Sequence, residues 1–283
     1  MEFVTIKNEY LEVTVSKNGG ALYSIIDRKD NDQLMWEGEE GLWSARDYVL
    51  FPFCCRRVDG YYTHNDVRYD IENHGFARKS LFVVEEQTES SVTLLLKDDE
   101  QTKKVYPFAF VLRMIYTLDG KKLSIRYKIE NPSNENIYFA FGGHVGMRLV
   151  GENSKGNFIE FDKTMTSRYT LDGSFVRGPI ECDFKKFEVD KNFFRTYNTL
   201  MLVSEQRDSA LTLTRGDGKQ IKFHFTAPVV AFWAEADGGN FACIEPWWGV
   251  PDYLPLEREI AKKPLVTELK PGTSTCEGYE LEI

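Results

Sequence analysis

Glu245 follows the apolar run FACI (241–244) and precedes PWW (246–248). A charge in such a frame is costly unless something pairs with it or uses it. The four histidines are the first candidates for a partner. His64 lies in YTHNDVRY, where HND reads as a solvated hairpin turn, and His224 in IKFHF shares an outward strand face with Lys222. His74 lies in ENHGFAR, before a glycine that lets backbone approach closely and four residues ahead of Arg78. His144 follows FAFGG, at a strand end where two glycines are read as leaving open space. Arg56 and Arg57 follow the apolar FPFCC, and successive strand residues point to opposite faces. One of these arginines can therefore face a cavity, where a guanidinium forks onto hydroxyls or a carboxylate. Glu245, the two histidines and an arginine form a set for acid–base work on a polyol. One group accepts a proton while another donates one, which opens and closes a hemiacetal ring, each contributing about 10²–10⁴-fold. Trp233, Trp247 and Trp248 suit a sugar, whose C–H faces pack on rings while its hydroxyls seek hydrogen bonds; plain core packing explains any one of them equally well.

The elements that must hold these groups are strands. YLEVTV (10–15), SVTLLL (91–96), LSIRYKI (123–129), ALTLTR (210–215) and IKFHF (221–225) alternate with period two. KNGG (17–20), LDGKK (118–122) and GDGK (216–219) supply turns at hairpin spacing. A helical turn is conceivable in FEVDKNFFRTYNTL (187–200), where periodicity is weak, and LVGENSKGN and CDFKKFEVDK read as loop-like excursions. No repeat of about 20–50 residues and no linker interrupts the chain, which argues for one large antiparallel sandwich or barrel.

Composition bounds the partners. With 42% hydrophobic and 14% aromatic residues, the 283-residue chain can bury a sizeable core. The net charge of −9 and pI near 5.2, without a Lys/Arg block, speak against nucleic acid and anionic membrane; a neutral small-molecule partner fits, as it would for most soluble enzymes. The opening MEFVTIKNEYLEVTVSKNGG lacks the basic and apolar regions of a secretory signal, and no apolar run approaches the roughly 18 residues of a membrane span. Cys54, Cys55, Cys182, Cys243 and Cys276 are odd in number and lack framework spacing, which points to a reduced, cytoplasmic setting. Neither CxxC nor HxxxH is present, so no zinc site is expected.

FPFCCRRVDG (51–60), HGFAR (74–78), GGH (142–144) and CIEPWWG (243–249), in this order and at these spacings, resemble the aldose 1-epimerase (galactose mutarotase) family, in particular the aldose 1-epimerase-like branch of bacterial sugar operons. The resemblance runs from LEVTVSKNGGALYSI (11–25) to the closing LKPGTSTCEGYELEI, and HGFAR together with CIEPW is its specific part. It implies an all-β, antiparallel β-supersandwich forming a single domain over residues 1–283, with a sugar in an open cleft and an isomerase reaction needing neither cofactor nor metal. It implies that Glu245 is the general base at the anomeric hydroxyl and His144 the general acid at the ring oxygen. His74 and Arg56 would bind and polarise the sugar, Arg56 being preferred to Arg57 because CCR matches the family's C-G-R. Arg78, Trp247 and Trp233 complete the expected substrate-binding set. Three departures are visible. HVGMRL replaces a proline-containing run, Cys55 replaces a glycine, and no residue is assigned to the aspartate with which galactose mutarotases hold sugar hydroxyls. Three alternatives remain: a hexose-6-phosphate epimerase, which needs several cations aimed at a dianion; a non-catalytic sugar binder; and a glycoside hydrolase, which needs a second carboxylate. A monomer or homodimer is expected.

Overall fold

Lys122–Glu130 illustrates how the sequence sets the sheet. In KLSIRYKIE the residues Leu123, Ile125, Tyr127 and Ile129 are buried, while Ser124, Arg126 and Lys128 between them stay half-exposed. Ser91–Lys97 and Gln220–Phe225 obey the same alternation, as does Ser209–Thr214 from Leu211 onward. The computed structural model describes residues 2–173, 175–205 and 208–283. The three glycine turns read from the sequence each join antiparallel neighbours, including Val111–Asp119 with Lys122–Glu130.

The architecture is an all-β antiparallel supersandwich. Its large sheet has Phe141–Gly142 and Val145–Arg148 along one edge, both paired to Phe241–Trp248. Next come Val229–Trp233, Thr199–Val203 and Phe158–Asp172. The order continues through Ser209–Thr214, Gln220–Phe225, Ser274–Glu282, Lys122–Glu130, Val111–Asp119 and Ser91–Lys97 to Val83–Gln87 at the far edge. A four-stranded sheet, Phe3–Lys7, Leu11–Ser16, Leu22–Asp27 and Asp32–Gln33, shares its core.

Near the first edge the sheet is buried on both faces. Leu200, Leu202, Val230, Phe232 and Ile244 enter the main core, whereas Met201, Val229, Ala231 and Trp247, on the alternate face, join a second cluster with Leu50, Cys54, Ala140, Tyr169, Val176 and Val250. That is why TLMLV and VVAFW read as continuous apolar runs.

Two readings change. The weakly periodic 187–200 region does hold a helix, Lys191–Tyr197, started by Asp190, whose carboxylate accepts the Phe193 N–H at 2.8 Å. The supposed loop CDFKKFEVDK belongs largely to a 14-residue strand, Phe175–Glu188, paired with the 15-residue Phe158–Asp172. Cys182, Phe184 and Phe187 of that strand pack on the core, but bulges shift its register against the partner and Lys185 and Lys186 are both exposed, so no continuous alternation runs through it.

Candidate active site

Period two places Cys243, Glu245 and Trp247 on one face of Phe241–Trp248, a strand buried along its whole length. Across from it, Gly142 pairs with Trp247 and Val145 with Ile244. Continuing this register puts Gly143 opposite Pro246 and His144 opposite Glu245. The Gly143 N–H still reaches the Pro246 carbonyl at 3.1 Å, but proline has no N–H to return, and the ladder breaks there. Directly opposed residues share a face at short range, and His144 Nε2 lies 3.3 Å from Glu245 Oε2. The two glycines do not leave open space, as the sequence reading has it. A Cβ on Gly142 would lie 2.6 Å from the Pro246 carbonyl, and one on Gly143 would lie 2.6 Å from the Tyr279 hydroxyl.

Burial governs the protons of this pair. It pushes the Glu245 carboxyl well above the usual carboxylate range; the nearby Trp247 indole N–H acts the other way without reaching hydrogen-bond geometry, and Asp47 adds to the rise. Burial also lowers the His144 imidazole to about 3. Both shifts favour a neutral pair, with the proton on Glu245, over a carboxylate facing an imidazolium. Behind it, Asp47 accepts the main-chain N–H of His144 at 3.2 Å and that of Leu22 at 2.9 Å. Asp47 is itself raised to about 6 by burial, against the pull of these N–H groups.

His74 comes from the HGFAR loop. Its N–H donates to the Cys55 carbonyl at 3.2 Å, and its Nδ1 accepts the Cys55 N–H at 3.0 Å. Burial first, then the repulsion a second protonated histidine at His144 would exert and the charge of Arg78, lower the ring well below the ordinary histidine value; with Nδ1 accepting, its proton sits on Nε2 as a donor. Gly75 fixes the loop: at φ +72° a Cβ would meet the Phe51 carbonyl at 2.2 Å. Arg78 gives its Nε–H to the Asn73 carbonyl at 3.0 Å and lays its guanidinium 5.2 Å from the Tyr48 ring centre.

These groups surround a cavity of about 300 Å³. Glu245, His144, His74, Arg78, Trp233 and Trp247 all line it. Trp248 does not; it stacks on Phe141 at 4.9 Å in the main core. Arg56 is exposed and outside the lining, contrary to its expected place at the sugar. The left-handed φ of +59° at Cys55 turns the chain, and Arg57 goes inward instead. Arg57 is committed to Asp252 at 2.9 Å and to the Cys54 and Val250 carbonyls, and it does not line the cavity. His64 is no simple turn histidine, since it lies 3.2 Å from Glu259 and packs on Phe108.

Sequence reasoning missed several walls. Trp43 and Tyr48 come from an irregular segment without periodicity, and their rings lie 5.3 and 5.5 Å from that of His144. Asn73, Leu171, Thr199 and Met201 also line the cavity, and nothing in their local sequence marks them. No aspartate is found among the described lining residues, where Glu245 is the single carboxylate. His144, Cys243 and Glu245 bring one nitrogen, one sulfur and one oxygen within 4.8 Å of one another, donor types that zinc accepts. Motif spacing gives no hint of this cluster, because His144 comes from a distant part of the chain while Cys243 and Glu245 share one strand. A cation there would occupy the lone pairs that acid–base chemistry needs.

Comparisons with known proteins bear on the family and the fold. A family model described as aldose 1-epimerase matches residues 2–281. The chromosomal LacX protein of Lactococcus lactis subsp. lactis is 28% identical over 300 residues, covering 99% of both chains. A galactose mutarotase related enzyme from Lactobacillus acidophilus superposes with a TM-score of 0.93 at 29% identity, over 99% of this chain and 97% of that one. A galactose mutarotase-like protein from Lactobacillus casei shares the fold, with a TM-score of 0.92 at 21% identity and 99% of each chain covered.

Proposed function

This chain belongs to the aldose 1-epimerase family, and from that premise we propose that it interconverts the α and β anomers of a free aldose by acid–base opening and closing of the ring. The observation that carries the proposal is the Glu245–His144 pair, set face to face by strand register at 3.3 Å. Ring opening removes a proton from the anomeric hydroxyl O1 and delivers one to the ring oxygen O5. The C1–O5 electron pair leaves with O5, and the O1–H electrons become the C1–O1 double bond. No net proton is gained or lost, so one acid and one base sharing a single proton suffice.

Transfer of that proton from Glu245 to His144 Nε2 creates a carboxylate and an imidazolium. The carboxylate then takes the O1 proton while the imidazolium protonates O5. Rotation about C1–C2 and closure on the other face reverse the roles. The neutral His74 donates a hydrogen bond from Nε2, and Arg78 supplies the cavity's permanent positive charge. Trp233 and Trp247 offer ring faces to the sugar's C–H groups.

A sugar phosphate fits less well. Among the lining residues Arg78 is the single permanent cation, and its Nε is already given to Asn73. A hydrolytic pair also lacks support, because Asp47, the carboxyl behind His144, does not line the cavity.

Polarimetry of freshly dissolved α-D-glucose and α-D-galactose tests the proposal. Wild-type protein is expected to accelerate mutarotation, and Glu245→Gln or His144→Gln to lose about 10²–10⁴-fold of that rate. Full activity in Glu245→Gln would remove the base from this scheme. Binding without acceleration would favour a sugar-binding protein.

A further inference from the structure

The cavity has two unlike walls. Beside the proton pair stands the HGFAR loop, with the Nε2–H of His74, Arg78 and the side-chain oxygen of Asn73, a buried acceptor that has no hydrogen-bond partner among the described residues. The other wall rises along the sheet. Glu245 pairs with Ala231, Ala231 with Met201, and Met201 with Tyr169, so these four share one face. Strands lie about 4.8 Å apart, which puts Met201 roughly 10 Å from Glu245 across the sheet. Ala231 between them projects no more than a methyl group. Leu171, two residues beyond Tyr169 near the tip of the long hairpin, closes this side. Thr199 carries a hydroxyl but sits one row away, opposite Trp233.

A pyranose also has two unlike edges. C2, C3 and C4 each bear a hydroxyl. The C5–O5 edge bears only the ring oxygen and the exocyclic C6, so its one hydroxyl is O6. Matching polar edge to polar loop turns C6 toward Met201 and Leu171, where an O6 hydroxyl would lose water without gaining a partner. Building on the epimerase reading, we propose that the site selects 6-deoxyhexoses, neutral aldoses whose C6 is a methyl group.

Matched sugars test this. Wild-type kcat/KM is measured for D-glucose against 6-deoxy-D-glucose, and for D-galactose against 6-deoxy-D-galactose, with D-xylose as a sugar lacking C6. The deoxy member of each pair is expected to be favoured roughly tenfold or more, as a buried hydroxyl mismatch permits, and also to exceed D-xylose because the methyl group packs on the wall. Leu171→Gln, a change at a half-buried position, is expected to reduce or reverse the preference. Equal or better turnover of the parent hexoses would overturn the inference and leave the epimerase reading intact, and equal turnover of D-xylose would remove the methyl contact. If no sugar is accelerated, the epimerase reading fails instead. Calorimetric affinities for the same sugars then decide the preference of the pocket, with tighter binding of the deoxy sugars supporting it and equal binding rejecting it.

Discussion

Placing a carboxyl and an imidazole together in a dry site decides where their proton rests, and with it the pH behaviour of the protein. His144 gains a second proton for the pair only near pH 3, while Glu245 gives up the shared one well above the usual carboxylate range. kcat/KM should therefore stay level through mildly acidic pH and fall on the alkaline side. A rate that instead climbs through an ordinary histidine midpoint between pH 5 and 7 would mean the two groups titrate separately. Stability carries a second signature, at Asp47. Its carboxyl rises from 3.8 to about 6 in the fold, so the native state holds this proton more tightly than the unfolded chain. The resulting stabilisation is present below about pH 4 and is lost as pH rises through about 6. The advantage of wild type over Asp47→Asn should shrink by about 2 kcal/mol between pH 4 and pH 8, read from urea unfolding at each pH. A difference independent of pH would show that Asp47 is ionised throughout. The histidines pull the opposite way, since neutral His74 and His144 make the fold lose stability as pH falls below the ordinary histidine range.

At the scale of elements, a buried latch holds the loops around the cavity. Asp252 receives Arg57 at 2.9 Å, Lys263 at 2.7 Å and the Val58 N–H at 2.7 Å, and its strand pairs in parallel with the start of Phe175–Glu188. Asp252→Ala would strand two buried cations, at a cost of about 3–5 kcal/mol. The urea midpoint should drop accordingly, and an unchanged midpoint would show that the latch holds nothing. The latch also marks where the sequence stops being legible. Alternation reveals strands with one wet and one dry face, as in Lys122–Glu130. It fails where bulges shift the register, as in Phe175–Glu188, and where both faces are dry, as in Val229–Trp233. Alternation likewise says that Arg56 and Arg57 diverge, but which one turns inward depends on the left-handed residue before them and on a carboxylate 195 positions away. Trp43 and Tyr48 were hidden for a third reason. They belong to irregular chain whose path is set by the edge it covers, through bridges from Met35 to Met147 and from Leu50 to Gly142. Glu245 and His144 stand out in the sequence because the residues flanking each are unusual, whereas their facing positions follow only from the strand register.

Across the whole molecule, the two edges of the large sheet are treated differently. Val83–Gln87 ends the sheet with every residue exposed, including Val83 and Val84, and its glutamates are what discourage a second strand from adding there. Glu86→Val should increase self-association in size-exclusion chromatography at high concentration; an unchanged profile would mean the edge is protected by other means. The opposite edge carries His144 on a discontinuous pair of short strands, held on one side by Phe241–Trp248 and on the other by isolated bridges. Since His144 meets Glu245 only while this edge is docked, turnover doubles as a gauge of local docking. Fraying of one hydrogen-bonded margin would silence the protein while the rest of its sheet stayed intact. In a urea series, sugar turnover should then disappear before far-UV circular dichroism changes, a gap between two curves that reports the margin alone.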